Sequence, residues 1–349
     1  MEQTKPKIKL AILMTGEMFR RAICPEDLTF LETFAELVNK PPYPDRISEA
    51  YMQGHLAGAQ ACFTCWGTPV LSEAVLAHAP ELKVILHGAG TPKAIVSEGV
   101  WLRGIRVATA APVIAIDVAE SALGGMIYCL KHFGDYDRLM RAGRWQKTAG
   151  SVSDVDALKP QLKRLNGRLT VGIVGASHVG RNMIRFLKPF GVRILLYDPT
   201  LSADMARELG VTQVCLETLM PGSDVVSVHA PQLPGTRGMI TADLLASMPD
   251  GALFVNTSRG SIVDQKALLA ELKSGRISAY LDVYEQEPLP ADSELHTLDN
   301  VLLTPHVSGG HTVNGGFERG NYIVNQLYSY WQTGKLQHEA LRDMLDTMA

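Results

Sequence analysis

The stretch Thr170-Val-Gly-Ile-Val-Gly-Ala-Ser-His-Val-Gly-Arg181 decides the fold. It opens as an apolar strand, breaks at Gly175 and resumes at His178 as the start of a helix. Gly175 permits a tight turn and Gly180 permits close helix–strand packing, so the amides at the helix N-terminus face a pyrophosphate with the helix dipole behind them. Ser177 stands where the dinucleotide fingerprint carries a glycine, and its small side chain keeps the backbone approachable. Val192-Arg-Ile-Leu-Leu-Tyr-Asp198 reads as the next strand. Its closing acid lies 23 positions after Gly175, close to the spacing of about 20 at which such folds hold the adenine ribose. A carboxylate there accepts from the ribose hydroxyls and repels a 2′-phosphate, so the expected cofactor is NAD rather than NADP.

Outward from this unit, short apolar runs alternate with amphipathic stretches. Ile8 to Met14, Lys83 to His87, Asp224 to Val228, Ala252 to Asn256, Ser278 to Leu281 and Val301 to Thr304 read as strands. Continuous apolar runs of this length suit parallel strands buried on both faces. Arg181 to Pro189, Thr241 to Met248 and Gln265 to Gly275 read as helices between them, and the alternation implies a doubly wound α/β fold. The polar stretch Trp145 to Asp154 reads as a surface loop, and Glu120 to Phe133 as a helix near the seam.

With 349 residues there is chain for about two domains. Hydrophobic residues make up 46% and the formal net charge is −3, which suits a soluble protein with a large core and gives no patch for nucleic acid. The N-terminus is polar and runs straight into a strand, without a signal peptide's apolar segment. The most apolar long stretch, Val107 to Leu130, contains Pro112, Asp117 and Glu120, so no membrane partner is expected. Cys24, Cys62, Cys65, Cys129 and Cys215 form no disulfide framework, which points to the cytoplasm. Cys62-Phe-Thr-Cys65 has no second pair to complete a metal site and reads as two small buried residues, so no metal is expected.

Three ionisable residues each follow a strand of the nucleotide half: Arg259, Glu287 and His306. In an open parallel sheet such residues gather at the carboxyl edge, where ligands bind. Reducing a 2-keto acid needs a proton for the carbonyl oxygen while hydride reaches the carbon, and an imidazole supplies one near neutral pH. A neighbouring carboxylate favours the charged imidazole, and a guanidinium polarises the carbonyl or holds the carboxylate. Glu285 competes with Glu287, and His87, His229 and His311 compete with His306.

These residues lie in a longer series: Val118-Ala-Glu120, Arg141-Ala-Gly-Arg-Trp145, Asn166-Gly-Arg168, Val228-His-Ala-Pro231, Asn256-Thr-Ser-Arg-Gly-Ser-Ile-Val-Asp264, Leu281-Asp-Val-Tyr-Glu-Gln-Glu-Pro288 and Thr304-Pro-His306. The series resembles the D-isomer-specific 2-hydroxyacid dehydrogenases, the group that includes D-3-phosphoglycerate dehydrogenase and glyoxylate/hydroxypyruvate reductases, over roughly residues 80–312. The resemblance implies that Arg259 binds substrate, Glu287 pairs with the histidine and His306 is the acid/base. It implies cofactor contacts at His178, Val179, Asp198, His229, Ala230, Pro231, Thr257 and Asp282, which join Gly175, Ser177 and Gly180 of the turn. The backbone of Gly88, Ala89 and Gly90 is implied to hold the substrate carboxylate. The implied layout is a Rossmann-type NAD-binding domain, 116–305, inserted into a flavodoxin-like substrate domain made of 1–115 and 306–349. Phe317 to Trp331 would be the returning helix. A homodimer is implied, with contacts around the Glu120 helix and Arg141 to Trp145.

Ile114 stands where many members have an asparagine, and Val-Ser-Gly-Gly-His-Thr follows His306 where many have a shorter glycine–serine run. Both departures touch the substrate side of the implied site. Glu287 separates the chain from formate dehydrogenases, which carry glutamine there. A nucleotide-sensing protein like the C-terminal-binding-protein corepressors shares the scaffold and is the alternative expectation.

Overall fold

Side chains of a strand point alternately to its two faces, and here both faces are apolar. In Ile8–Leu13 (β1), Leu10 and Ile12 enter one buried cluster while Ala11 and Leu13 enter another. The same division recurs in Leu253–Asn256, where Leu253 and Val255 face away from Phe254. Each sheet is therefore a middle layer with helices on either side. The computed structural model describes residues 5–145, 153–346 and 348.

Two compact units result, one from the chain up to Ile114 and again from Gly310, the other from Ala115 to Gly309. The first unit holds β1, Ala35–Leu37 (β2), Ala61–Thr64 (β3), Val84–His87 (β4) and Arg106–Thr109 (β5), all parallel in the order β2-β1-β3-β4-β5. That is the flavodoxin-like order. Leu13, Thr64, His87 and Thr109 are register partners in turn, so four strands end in one row.

The second unit holds Thr170–Val174 (β6), Arg193–Tyr197 (β7), Thr212–Gln213 (β8), Val225–Val228 (β9), Leu253–Asn256 (β10), Ser278–Leu281 (β11) and Val301–Leu303 (β12). Their order is β12-β11-β10-β9-β6-β7-β8, again all parallel. Counted from β6 this is the Rossmann order 3-2-1-4-5-6 with one more strand beyond. Tyr197, Val174, Val228, Asn256, Leu281 and Leu303 are register partners across the sheet. The residues that follow them therefore share one edge.

Several elements differ from the sequence reading. The helix read at Glu120 begins at Ala111 and ends at Leu130, because Pro112 in a first turn needs no N–H partner. By length and composition alone this helix could cross a membrane. It carries Asp117 and Glu120, and Ala122, Met126 and Leu130 pack in the core with β6. A separate helix, Phe133–Arg141, follows after His132 turns left-handed at φ 51. Of the stretch read as a surface loop, residues 146–152 lie outside the described residues, and Ser153 caps a short helix at Asp154–Leu158. The helix read at Arg181 begins at His178, and the last long helix is Val313–Thr333. The chain returns to the first unit only at Gly310. Val307 and Ser308 stay with the second because their amides both donate to the Asp282 carboxylate at 3.0 Å.

Candidate active site

The shared edge of the second sheet is stitched together by the residues that follow its strands. Gly175 sits at φ 100, where a β-carbon would come within 2.6 Å of the Ala230 nitrogen, so only glycine makes this turn. A β-carbon at Gly180 would stand 2.0 Å from the Gly175 carbonyl oxygen. Ser177 needs no glycine: at φ −60 it is the N-cap of the helix His178–Leu187. Its hydroxyl accepts from the Gly180 amide at 3.4 Å and donates to the His229 carbonyl at 2.8 Å. His178 and Val179 are the first two residues of that helix.

Asp198 leaves β7 and ties back to the turn, its Oδ2 accepting from the Ala176 amide at 2.7 Å. Its Oδ1 accepts from the Thr200 amide and hydroxyl at 2.8 and 2.7 Å. Among the described residues Oδ2 accepts no second hydrogen bond, which leaves it one lone pair. After β9 and β10, the Ser258 hydroxyl donates to the Ala230 carbonyl. Thr257 Oγ1 and His229 Nδ1 are buried and meet no hydrogen-bond partner among the described residues. Buried polar atoms are normally satisfied, and these two lie on the edge where the glycine turn leaves its cradle. The residues present thus fit a dinucleotide. Burial pushes His229 down to about 3, so its ring is neutral.

Glu287 and His306 meet within this unit, and Arg259 lies close enough for the Glu287 charge to act on it. His306 Nδ1 stands 2.7 Å from Glu287 Oε2, and Glu287 Oε1 accepts from the Tyr284 amide at 3.0 Å. Among the described residues, His306 is one of two non-glycine residues at positive φ, at 54. Its amide donates to the Asp282 carbonyl at 2.8 Å, and the Asp282 carboxylate, 1% exposed, holds the next two amides and the Thr304 hydroxyl. Both oxygens of the Asp282 carboxylate thus accept from the His306 loop. Burial pulls the Arg259 guanidinium below its ordinary value, and the nearby Glu287 charge opposes that. An arginine so placed stays charged. The two loops meet backbone to backbone, since a β-carbon at Gly260 would lie 1.9 Å from the Tyr284 carbonyl carbon.

The rivals separate on geometry. Glu285 faces Arg237 at 3.7 Å instead of the histidine. His87 lies in the first unit, buried, bonded through Nδ1 to the Thr64 hydroxyl at 2.9 Å and pushed down to about 4 by burial. His311 also belongs to the first unit, stacked on Trp66. In the loop after β4, the Gly88 amide donates to the Thr64 carbonyl at 2.7 Å and is not available to a ligand. Ala89 and Gly90 follow, and a β-carbon at Gly90 would meet nothing within 4 Å.

Sequence reading missed three supporting residues. The Asn256 amide group donates to the Arg259 carbonyl at 3.0 Å and its Oδ1 accepts from Ser258 at 3.0 Å, which fixes the arginine loop. The Tyr284 hydroxyl lies 3.1 and 2.9 Å from the Leu281 and Thr304 carbonyl oxygens and shares its one proton between them, bracing the Glu287 and His306 loops. Arg319 is 1% exposed and donates to the Gly88 carbonyl at 3.0 Å. The signal for Arg319 was available: it is a charge on the apolar stripe of its helix, one turn before Ile323.

Residues 123–308 match the NAD-binding domain of the D-isomer specific 2-hydroxyacid dehydrogenases. The chain is 38% identical over 245 residues to a glyoxylate reductase of Korarchaeum cryptofilum, 69% of this chain and 71% of that protein. It is 36% identical over 230 residues to a hydroxypyruvate reductase of Thermotoga maritima, 65% of this chain and 70% of that protein. A phosphoglycerate oxidoreductase from Rhizobium etli is similar in structure with a TM-score of 0.77 and 28% identity, over 96% of this chain and 99% of that one. These relatives are oxidoreductases by name, so the nucleotide-sensing alternative is not favoured. The chain belongs to the D-isomer specific 2-hydroxyacid dehydrogenase family and is an NAD-dependent oxidoreductase.

Proposed function

We propose that the protein interconverts a small D-2-hydroxy acid and its 2-keto acid, with His306 as acid/base, Glu287 as its partner and Arg259 as the substrate-binding guanidinium. The contact of His306 Nδ1 with Glu287 Oε2 at 2.7 Å carries this reading. An ionised carboxylate only accepts, so Nδ1 bears the proton and Nε2 is the nitrogen that serves the substrate. NADH, when bound, supplies the hydride. His306 donates from Nε2 to the carbonyl oxygen as that carbon is reduced, and the same nitrogen takes the hydroxyl proton in the oxidative direction. Glu287 keeps the ring oriented and offsets the positive charge it carries. Arg259 stabilises the negative charge gathering on the oxygen, where partial burial strengthens its field.

The amides of Ala89 and Gly90 hold the substrate carboxylate, with Gly88 shaping the turn. The turn Gly175 to Gly180, Thr257 and the His229-Ala-Pro231 segment hold the cofactor. Asp198 takes a ribose hydroxyl on its open lone pair and selects against a 2′-phosphate. A homodimer in the cytoplasm completes the reading. The exposed Tyr128, Phe133, Met140 and Trp145 near the seam helices support the dimer, and five free cysteines support a reducing compartment.

Steady-state oxidation of NADH and NADPH against glyoxylate, pyruvate, hydroxypyruvate and phenylpyruvate tests the reading. The expected result is turnover of at least one keto acid with a higher kcat/KM for NADH. NADH binding without turnover of any of them contradicts the reaction, and a preference for NADPH contradicts the role of Asp198. Light scattering after gel filtration checks the dimer.

A further inference from the structure

Trp66 follows β3 by two residues, at the row of strand ends that also carries Gly88. The residue is 41% exposed, yet its indole is not a loose surface ring. The Arg319 guanidinium lies 4.5 Å from the ring centroid, and the His311 imidazole is parallel to it at 6.3 Å and 7°. Gly310, at φ 74, packs so closely that a β-carbon there would stand 2.5 Å from Trp66 Cη2. Gly310 and His311 belong to the run after His306 that departs from the family pattern. All four residues lie in the first unit.

Arg319 links this ring to the glycine loop. It is 1% exposed and donates from Nη1 to the Gly88 carbonyl at 3.0 Å, an oxygen that also accepts from the Cys65 thiol at 3.4 Å. A buried guanidinium is costly unless carbonyl and aromatic partners surround it. One guanidinium therefore spans the gap between the loop and the indole. It fixes an apolar wall at a set distance from the loop.

We propose that Trp66 is a specificity-determining residue that selects 2-keto acids with an aromatic side chain, with Arg319 positioning both the ring and the loop. The inference rests on the reading that the loop holds the substrate carboxylate. With the carboxylate there, the substituent beyond the keto carbon extends across the width of the guanidinium towards the indole. An aromatic group gains ring–ring contact with it. Glyoxylate has no side chain to reach it. A phosphorylated side chain would meet an apolar wall whose guanidinium is buried and already engaged with a carbonyl.

The test is kcat/KM with NADH for glyoxylate, pyruvate, phenylpyruvate and phosphohydroxypyruvate, on the wild type and on Trp66→Phe, Trp66→Ala and Arg319→Lys. The wild type should prefer phenylpyruvate. Trp66→Ala should lose roughly 10- to 100-fold on phenylpyruvate, mostly in KM, and change glyoxylate by less than about threefold. Trp66→Phe should keep most of the preference. Arg319→Lys keeps the charge and loses the planar fork. It should raise KM for every keto acid and abolish the aromatic preference, with the Kd for NADH unchanged. An equal loss on all substrates in Trp66→Ala, or a wild type that prefers the phosphorylated acid, overturns the proposal even if Arg319→Lys fails to fold. No turnover of any keto acid by wild type that binds NADH would instead remove the reading beneath it.

Discussion

His306 holds a backbone conformation that non-glycine residues rarely adopt, at φ 54, and such strain persists only where the surroundings enforce it. Asp282 is what enforces it, through its carbonyl and its carboxylate. Glu287 then fixes the ring. Replacing Glu287 with Gln keeps the shape but offers an amide that can donate to Nδ1 and favour the wrong tautomer. Steady-state kinetics should show kcat falling by about 10²-fold or more, with KM for the keto acid changed little; wild-type kcat would refute the pairing. Arg259, Glu287 and His306 were legible in the sequence because each follows an apolar strand and falls in a family motif. The choice between Glu287 and Glu285 was not, since it depends on which side of one turn faces Arg237. Nor was the neutrality of His87 and His229, which burial alone decides.

Ser177 shows how a departure from a motif is absorbed by an element. The fingerprint asks for glycine, but the backbone at this position is extended and the serine hydroxyl caps the helix it precedes. Ser177→Ala should cost about 1 kcal/mol and Ser177→Gly only a few tenths. Thermal unfolding should therefore rank wild type above Gly and Gly above Ala; an Ala variant as stable as wild type would deny the cap a role. The longer strands were readable as apolar runs. The three-residue β2 and two-residue β8 were not, because they present no period to detect. The start of the Ala111–Leu130 helix was hidden by Pro112, which breaks a helix interior but suits a first turn.

At the scale of the whole molecule, each unit buries one histidine among its described residues that resists protonation: His87 in the first, at about 4, and His229 in the second, at about 3. Both folded values lie below the ordinary 6.5. The unfolded chain therefore binds protons that the folded chain refuses. Their contribution is complete above pH 6.5 and is lost as pH falls towards 4 and 3. His229→Gln should flatten the slope of unfolding free energy against pH in that window, whatever its effect on absolute stability; an unchanged slope contradicts the assignment. The α/β architecture was legible from alternation. The row of strand ends that brings residues 198, 257, 282 and 306 to one edge required the registers. The account stands or falls on His306 as the proton donor, and His306→Ala tests that most directly. Single-turnover reduction of the preferred keto acid should slow by about 10² to 10⁴-fold, while the Kd for NADH, followed by fluorescence, stays at the wild-type value. A variant that reduces the keto acid at the wild-type rate would contradict the mechanism outright.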